Sequence, residues 1–505
     1  MGFLSRPDVL LFIVAALPFV AALLIIALKR VAYVQEALSS FASLTLFPAT
    51  CGLYAVTFCK SGSAATSLSY SMSSSMLFIL EPDALGMAFG VLVSLLWCIT
   101  NVYTIGYMNK AYGAKKDLST FYACFAASIG CTMGIAFSGN LVTLFIFYEM
   151  LTISTYPLIV HDRSPSAFAA GSFYLKTLLC ASVTSFLPLL AVVWSISHEA
   201  GLFSSQFFVS EMRPGVIPLL SALLCYGVAK AAIMPVHMWL PRAMVAPTPV
   251  SALLHAVAVV KSGVFTIIKV TVCVFGAHGM YSYYSGSQGI DGVLHLNVLL
   301  YLSAFTMIGG SVLALMQKEL KKLLAYSTVS QLSCITLALA MYTDLSVASA
   351  MLQMVCHAFA KITLFFAAGA IYITTGRTSI DQMDGLGRAM PVTLAAFCLG
   401  AFSMIGIPPA PTFWSKFYIL SEAVRQDSYL VIFAIALSTL LNTIYFVPVV
   451  YRAFFGDASA LQKFREAPPA VIAAMLATSA CTAVLFFKPG IVFKFLESMG
   501  LPVPS

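Results

Sequence analysis

Long apolar stretches follow one another along almost the whole chain of 505 residues. Each is long enough to cross a hydrocarbon core of about 30 Å as an α-helix, which satisfies its own backbone hydrogen bonds in lipid. Because 60% of the residues are hydrophobic and 9% are charged, the composition excludes a soluble globular protein. The sequence predicts an all-α polytopic membrane protein with about fourteen transmembrane helices, at residues 8–28, 31–58, 84–108, 119–137, 140–160, 167–196, 216–240, 249–275, 293–316, 322–342, 346–375, 391–421, 429–454 and 469–488.

The lysines and arginines between these spans are unevenly distributed. Roughly fifteen follow odd-numbered spans and roughly six lie on the other side, so the odd loops are predicted to be cytoplasmic. Both termini are then expected on the non-cytoplasmic side of a bacterial cytoplasmic (inner) membrane. The first span lacks a small-residue cleavage site and is expected to be a retained helix. The net charge of +8 sits in these short loops and does not indicate nucleic-acid binding.

Several classes of site have no sequence signal. The twelve cysteines form no Cys-x-x-Cys pair and lie mostly in apolar runs, so neither a disulfide framework nor a metal site is predicted. Phosphate-binding loops and nucleotide or zinc motifs are also missing from the sequence. We therefore predict no cofactor, no metal and no catalytic residue on this chain.

Residues 226–269 carry the strongest functional signal. Lys230 and Lys261 lie deep in apolar sequence, where a charged side chain costs about 2.5–3.5 kcal/mol at a helix centre and is a functional candidate by default. Lys269 lies near a predicted helix end, so its side chain is expected to reach the membrane interface. Pro235 frees a backbone carbonyl, and broken helices survive in membranes where they line a wet cavity. Lys230 beside such a break indicates an ion or proton path.

Other titratable residues lie in neighbouring spans. Glu149, in the fifth span, is predicted to pair with Lys230, because a nearby carboxylate keeps a lysine protonated and separation of the two releases the proton. His357 and Lys361 are four residues apart and share one helix face, which favours a proton relay over an isolated core histidine. Lys176 is equally compatible with an interfacial and an internal position.

The twelfth span repeats the pattern of the seventh. Pro408 and Pro409 interrupt an apolar helix, and Lys416 follows. Two broken spans, five apart, predict two five-helix repeats that are inverted in the membrane, a known transporter construction. The predicted divisions are residues 1–108 (spans 1–3), 119–275 (first repeat, spans 4–8), 293–454 (second repeat, spans 9–13) and 469–505 (span 14 and tail).

Five blocks of sequence carry a family resemblance over about residues 75–455. They are the Tyr-Glu-Met around Glu149, MPVHMWLPRAMVAPTPVSALLHAVAVVKSGVF from Met234, LKKLLAYSTVSQLS from Leu320, HAFAKITLFFAAG from His357 and GIPPAPTFWSKF from Gly406. In this order they resemble the antiporter-like membrane subunits shared by Mrp-type multisubunit cation/proton antiporters, respiratory complex I and membrane-bound hydrogenases.

The resemblance implies a role for each buried titratable residue. Members of this family pass protons along a hydrated line at mid-membrane depth. The implied proton-transfer residues are Glu149 and Lys230 in a first half-channel, Lys261 with His255 beside it, His357 and Lys361 on the central axis, and Lys416 at the end of a second half-channel.

Details of the blocks favour one branch of the family. Arg242 stands where complex I subunits usually have Asp, and Lys416 stands where one of them has Glu. The chain also ends soon after its last span, whereas the family's largest subunits carry a long extension. Together these details favour a resemblance to the D-type subunit of Mrp antiporters or to its hydrogenase-linked relatives. Pro411-Thr412 departs from the family's usual glycine before Phe413, which affects the expected geometry of the helix break.

Two functions remain open from the sequence. The first is a proton-translocating component of a multisubunit Na⁺/H⁺ antiporter, with other membrane subunits, protons and Na⁺ as partners. The alternative is a proton-pumping membrane component of a redox-driven complex, an NADH:quinone oxidoreductase-type translocase or a membrane-bound hydrogenase. A sugar or amino-acid carrier is not supported, because no cluster of hydrogen-bonding groups for an organic solute stands out.

Overall fold

The computed structural model describes residues 6–31, 33–59, 67–71, 77–113, 117–197, 203, 214–285, 296–456 and 465–499. Most of these residues are helical. The helices are α1 (Pro7–Ala27), α2 (Val34–Thr57), α3 (Ala84–Tyr112), α4 (Ser119–Ala136), α5 (Leu141–Ile159), α6 (Pro165–Ile196), α7 (Ile217–Gly227), α8 (Thr248–Ser285), α9 (Val298–Leu315), α10 (Leu320–Leu339), α11 (Asp344–Thr375), α12 (Pro391–Ile405), α13 (Thr412–Arg425), α14 (Tyr429–Phe455), α15 (Pro469–Phe487) and α16 (Gly490–Glu497).

Within these ranges, eleven helices are long and apolar enough to cross a membrane. The all-α polytopic fold is thereby confirmed. The seventh and twelfth predicted spans each contain a shorter apolar helix, α7 and α12, that ends at a break. The tenth predicted span corresponds to α10, whose polar Ser327, Ser330 and Gln331 are all buried. The total of fourteen spans and the inverted repeats remain predictions.

The break in the seventh span begins earlier than the sequence predicts. We expected the helix to continue to Pro235, but α7 ends at Gly227 and Lys230 lies in the single 3-10 turn Ala229–Ala231. The following Ala232 has a left-handed backbone, with φ of 56°. The chain then runs through the turn Val236–Met238 and the short helix Trp239–Arg242 before α8. Lys230 is therefore part of the break, where side chains can point in directions that a continuous helix forbids.

A small β-hairpin lies between α2 and α3. The Ser-rich sequence of residues 66–75 predicts a loop, and this prediction is wrong for the part that forms strand β1. β1 (Leu68–Ser71) pairs antiparallel with β2 (Leu77–Leu80), with Leu68 opposite Leu80. Ile79 and Leu80 are buried, and the backbone N–H of Ile79 donates to Thr143 Oγ1 at 2.9 Å. This apolar end anchors the hairpin to α5, which explains why a Ser-rich segment adopts strand structure.

Helix α11 occupies the centre of the bundle. It packs against α8, α10, α12, α13 and α15, and both α8 and α11 are almost completely buried. The peripheral helices α1, α2, α6, α9, α14 and α15 expose apolar side chains on their outer faces. These outer faces are the surfaces available to lipid or to other membrane subunits.

The two ends of the bundle are distinct. A cavity of about 890 Å³ opens at one end, and its walls come from the linkers that follow the third, fifth, seventh, ninth and eleventh predicted spans. Lys110, Asp162, Lys321 and Arg377 are among the residues that line it. The linkers that follow odd-numbered spans therefore meet at one end of the bundle. This is expected because successive spans cross the membrane in opposite directions. At the opposite end, the first turn of α3 lies beside the end of α4 and the middle of α8.

Candidate functional site: a buried row of lysines and histidines

Lys230 is fully buried against helix α5. Its Nζ donates to the backbone oxygen of Tyr148 at 2.6 Å and to Thr152 Oγ1 at 2.7 Å. The same Nζ lies 3.2 Å from the centre of the Tyr148 ring, a cation–π distance. Tyr148 also accepts, through its hydroxyl, the backbone N–H of Lys230 at 3.2 Å. One tyrosine thus holds both the backbone and the amine of this lysine.

Glu149 lies next to Tyr148 in the chain but does not touch Lys230 directly. Among the described residues, no carboxylate oxygen comes within 4.0 Å of the Lys230 amine, although the two groups interact electrostatically. Both Glu149 oxygens are buried and make no hydrogen bond within the described residues. The predicted ion pair is thus absent from this conformation, because α5 turns Glu149 away while presenting Tyr148 and Thr152. An unpartnered buried carboxylate is costly, which favours a change of partner.

Gly263 brings the Lys230 turn against α8. A Cβ atom at Gly263 would lie 2.5 Å from the carbonyl carbon of Lys230 and would also collide with the backbone nitrogen of Ala231. Only glycine permits this approach of two backbones. Lys261 is two residues away on α8, so the glycine sets the separation of the first two lysines of the row.

Lys261 and His357 join α8 to α11. The Lys261 amine lies 2.7 Å from His357 Nδ1 and donates to the backbone oxygen of Met354 at 3.0 Å. Both side chains are fully buried. His357 Nε2 makes no hydrogen bond within the described residues and is available to a water molecule or a proton. This contact is the direct link between helices that belong to the two predicted repeats.

Lys361 continues the row toward α10. Its Nζ donates to Ser327 Oγ at 2.7 Å and to the backbone oxygen of Leu324 at 3.2 Å. The predicted placement of His357 and Lys361 on one face of one helix agrees with their position on α11. They nevertheless contact different neighbours, because one turn of helix separates the two side chains along the axis.

His255 is buried without a hydrogen bond. It lies in a π-helical turn of α8, Leu253–Val257, and its ring centroid is 4.7 Å from that of Phe365. Neither ring nitrogen has a partner within the described residues. The resemblance placed His255 beside Lys261, and its electrostatic neighbours in the fold are Lys361, Lys321 and His357. Its position thus connects the row with the residues that line the cavity.

Lys416 caps the broken end of α12. Its Nζ donates to the backbone oxygen of Ile405 at 2.8 Å and to Thr439 Oγ1 at 3.1 Å. A helix C-terminus carries unpaired carbonyl groups and partial negative charge, so a cation is stabilised there. The break at Pro408 and Pro409 supplies these carbonyls. Gly406 has φ of +88°, and a Cβ at this position would lie 2.9 Å from Lys416 Cδ.

Two residues outside the predicted row form an ion pair whose lysine is fully buried. Lys269 is fully buried, and its amine lies 3.2 Å from Asp83 Oδ1 and 3.0 Å from the backbone oxygen of Ala136. We expected Lys269 to reach the interface, and this expectation is wrong. Its spacing of eight residues from Lys261 places both on one face of α8, which is the signal that could have identified it. Lys176, left open by the sequence, lies on the exposed face of α6.

Sequence reasoning also missed the polar partners of the lysines. Thr152 and Thr439 lie outside the five sequence blocks, and Ser327 lies inside the block from Leu320 without being singled out there. Each contacts a lysine from another helix, so only the packing reveals it. A buried amide pair accompanies them: Gln353 Nε2 donates to Gln331 Oε1 at 3.0 Å.

Comparison with known proteins places this arrangement in a family. Residues 138–442, which include every lysine and histidine of the row, match the family model described as "NADH:quinone oxidoreductase/Mrp antiporter, TM". The chain belongs to the NADH:quinone oxidoreductase/Mrp antiporter transmembrane family. The family assignment made from the five sequence blocks is confirmed.

Members of the NADH:quinone oxidoreductase/Mrp antiporter family from both branches are similar to the chain. It is 28% identical over 438 residues to the A/B component of a probable K(+)/H(+) antiporter from Rhizobium meliloti (strain 1021), covering 84% of this chain and 42% of that protein. It is 31% identical over 392 residues to the chloroplastic NAD(P)H-quinone oxidoreductase subunit 5 of Adiantum capillus-veneris, covering 74% and 50%. The chain thus spans about half the length of these curated relatives.

The fold of this family member also matches a solved assembly. A chain in the structure of the Mrp complex from Dietzia sp. DQ12-45-1b superimposes with a TM-score of 0.82 at 19% identity. The match covers 99% of this chain and 97% of that chain. At this identity the comparison establishes the shared fold.

Proposed function

We propose that the chain is the proton-translocating component of a multisubunit Na⁺/H⁺ antiporter, similar to the D-type subunit of Mrp antiporters. Protons pass along Glu149, Lys230, Lys261, His357, Lys361 and Lys416, with His255 beside the central part of this row. The observation that carries the proposal is the 2.7 Å contact between Lys261 Nζ and His357 Nδ1. Two proton-binding groups share one hydrogen bond across the helices that join the predicted repeats.

The contact supports a simple transfer step. A protonated Lys261 gives its proton to Nδ1 of His357, and the histidine releases the proton bound at Nε2 on its far side. Lys261 becomes a neutral amine, and the released proton moves toward Lys361 or a nearby water molecule. The row is suited to such exchange because its lysines are held by neutral oxygens and a ring nitrogen, within the described residues, rather than by carboxylates.

Glu149 supplies the negative charge at the start of the row. Its carboxylate is free of hydrogen bonds within the described residues and interacts electrostatically with Lys230. A movement that brings it to the Lys230 amine stabilises the ammonium form, and a movement away favours proton release. Charge changes in neighbouring subunits are one way to drive this movement.

The proposed partners are the other membrane subunits of the antiporter, together with protons, Na⁺ and the lipid bilayer. The relative from Rhizobium meliloti, named as part of an antiporter, supports this assignment. The proposed location is the bacterial cytoplasmic membrane, with the cavity lined by Lys321 and Arg377 on the cytoplasmic side and both termini outside. The excess of basic residues in these linkers supports that orientation.

A second candidate is a proton-pumping component of a redox-driven complex, such as an NADH:quinone oxidoreductase. The 31% identity to the chloroplastic NAD(P)H-quinone oxidoreductase subunit 5 favours it specifically. In that case the same row carries protons, and electron transfer elsewhere in the complex supplies the energy. The chain would then be part of an enzyme complex without holding the redox centre.

The test is Na⁺-induced proton movement in inverted vesicles from cells that lack their own antiporters and express the chain with its neighbouring genes. We expect Lys230→Ala to abolish the movement, because the row loses its first amine. Lys176→Ala is the matched control, since Lys176 is exposed on α6, and it should retain wild-type transport.

The results separate the two candidates. Normal transport in Lys230→Ala would reject the assigned path. No response to Na⁺ in the wild type, combined with proton pumping when a quinone or ferredoxin reductant is supplied, would select the redox-driven complex.

A further inference from the structure

Two hydroxyl groups on α8 lie beside the row but do not belong to it. Ser262 and Thr266 are both fully buried, and neither hydroxyl makes a hydrogen bond within the described residues. Other buried helical threonines of this protein donate to the carbonyl four residues earlier, as Thr132 does to Ser128 at 2.8 Å. The hydroxyls of Ser262 and Thr266 are therefore free to bind water or another polar group.

These two hydroxyls form a line on α8 that begins at the row. Ser262 follows Lys261 in the chain, within the regular α-helix Val259–Lys269. Ser262, Thr266 and Lys269 are spaced by four and three residues, which places them on one helix face. At a rise of about 1.5 Å per residue, Lys269 lies about 12 Å along the axis from Lys261. A buried hydroxyl line therefore connects the row with Lys269.

The far end of the hydroxyl line lies at the end of the bundle opposite the cavity. Asp83 caps the first turn of α3, whereas Lys110, in the last turn of α3, lines the cavity. The Lys269 amine lies 3.2 Å from Asp83 Oδ1, and the Asp83 side chain is 30% exposed while that of Lys269 is fully buried. The carboxylate favours the charged form of the amine. An ammonium group thus lies between the hydroxyl line and the solvent.

The contact of three helices holds this ammonium group in place. Asp83 Oδ1 accepts the backbone N–H of Gly86 at 2.9 Å. Lys269 donates to the backbone oxygen of Ala136, the last residue of α4, at 3.0 Å. A Cβ at Gly86 would collide with the same oxygen, so only glycine permits this approach of α3 to α4. The centre of the Phe265 ring lies 5.7 Å from the amine.

A hydroxyl line beside a proton row is a potential route for leakage. Water bound at Ser262 and Thr266 would offer protons a direct exit from Lys261 that bypasses Lys361 and Lys416. A coupled antiporter must prevent this exit, because it would dissipate the proton gradient without moving a cation. A fixed positive charge repels an approaching proton, and such charges exclude cations from membrane pores.

We propose that Lys269 is an electrostatic barrier against proton leakage along the hydroxyl line, and that Asp83 keeps it in the charged form. The proposal rests on the proposed function of the row. Lys269 differs from Lys261 and Lys361, which have neutral partners, because its own partner disfavours release of the proton. Since Asp83 is partly exposed, water screens its charge more strongly than that of the buried ammonium group.

Removal of the charge tests the barrier. The complex is purified and reconstituted into vesicles without Na⁺, and the passive proton flux is measured under an imposed membrane potential. A unit charge about 12 Å from a proton, at an effective dielectric constant of about 20, changes a rate about tenfold. We therefore expect Lys269→Met to raise the passive flux about tenfold over the wild type. Lys269→Arg keeps the charge and should keep the flux low.

A second substitution shows whether the leak follows the hydroxyl line. Thr266→Val removes a hydroxyl and keeps the branched shape of the side chain, so its combination with Lys269→Met should return the flux close to the wild-type value. Thr132→Val is the matched control. Thr132 is an equally buried threonine on α4 whose hydroxyl already donates to Ser128, and its substitution should leave the leak of Lys269→Met unchanged.

Replacement of both charged residues keeps the test independent of folding. Lys269→Met alone leaves Asp83 without its partner, whereas the combination with Asp83→Asn removes both charges, which buried ion pairs tolerate better. Asparagine is also a good N-cap residue, so α3 keeps its cap. We expect the double variant to leak as Lys269→Met does.

The outcomes are distinct from those of the proposed function. A leak that appears with Lys269→Met, is missing with Lys269→Arg and is suppressed by Thr266→Val supports the barrier. Wild-type flux in both methionine variants overturns it, as does an equal leak in Lys269→Arg or a leak that Thr266→Val does not reduce. Failure of the proposed path appears instead as normal Na⁺-induced transport in Lys230→Ala, whichever result Lys269→Met gives.

Discussion

At the scale of single residues, the buried lysines of this family member fall into two kinds. Lys230, Lys261, Lys361 and Lys416 are held by hydroxyl, carbonyl or imidazole groups, whereas Lys269 is paired with a carboxylate. A neutral partner allows an amine to exist in both protonation states at similar cost, while a carboxylate favours the charged form. The contact partner therefore distinguishes the proposed transfer sites from the ion pair of Lys269 and Asp83.

The pair of Lys269 and Asp83 gives a stability prediction. Asp83→Asn leaves a fully buried ammonium group without its counter-ion, and removing one partner of a buried pair costs about 3–5 kcal/mol. Because the Asp83 side chain is 30% exposed, we expect a smaller loss, about 1–3 kcal/mol, seen as a lower midpoint of thermal unfolding.

An exposed pair serves as the control for that measurement. Arg452 and Asp381 lie 2.6 Å apart with side chains 42% and 67% exposed. Exposed pairs contribute about 0–1 kcal/mol, so Asp381→Asn should leave the midpoint almost unchanged. Equal effects of the two substitutions would contradict the distinction between the pairs.

At the scale of elements, the two broken segments place lysines by different means. In the first, α7 ends and Lys230 lies within the irregular turn that follows. In the second, α12 ends and Lys416 comes back from α13 to the free carbonyls of that helix. Non-helical backbone at membrane depth is tolerated where protein surrounds it, and both breaks are packed against buried helices. A similar sequence pattern of proline and lysine thus produces two local geometries.

A substitution at Gly406 tests how Lys416 is held at the end of α12. Its left-handed backbone strains any substituted side chain, and a Cβ would lie 2.9 Å from Lys416 Cδ. We expect Gly406→Ala to displace the lysine from Ile405 and to lower proton transport at least tenfold, measured as Na⁺-induced proton movement in vesicles.

Gly376→Ala separates backbone strain from the effect on the lysine. Gly376 also has a left-handed backbone, with φ of +74°, but a Cβ there meets nothing within 4 Å. Its substitution should cost about 1–2 kcal/mol in stability, as left-handed conformations do for residues with a Cβ, and should leave transport per folded complex intact. Loss of transport in both variants would assign the effect to strain alone.

At the scale of the whole molecule, the bundle surrounds its polar row with helices of the predicted repeats. The linkers after alternate spans meet around the 890 Å³ cavity, and the Lys269–Asp83 pair lies at the other end. This arrangement requires the two ends to face opposite sides of the membrane. The excess of basic residues around the cavity predicts that the cavity faces the cytoplasm.

Single cysteines test this orientation. Thr378→Cys lies at the cavity, and His278→Cys lies at the other end, where His278 is exposed beside Asp344. In a chain whose exposed Cys59 and Cys180 are replaced by serine, a membrane-impermeant maleimide should label Thr378→Cys in inverted vesicles and His278→Cys in right-side-out vesicles. The reverse pattern would contradict the predicted orientation.

The sequence by itself determined the fold class, the family and the residues of the row. Hydropathy reports the number of apolar segments, and lysines such as Lys230 and Lys361 stand out because an intramembrane charge is rare and costly. The sequence could not determine which groups these lysines touch. The absent Glu149–Lys230 ion pair, the burial of Lys269 and the pairing of Lys261 with His357 all depend on how helices far apart in the chain pack together. Only the tertiary structure decides them, because local spacing fixes which side chains share a helix face but not which helix that face meets.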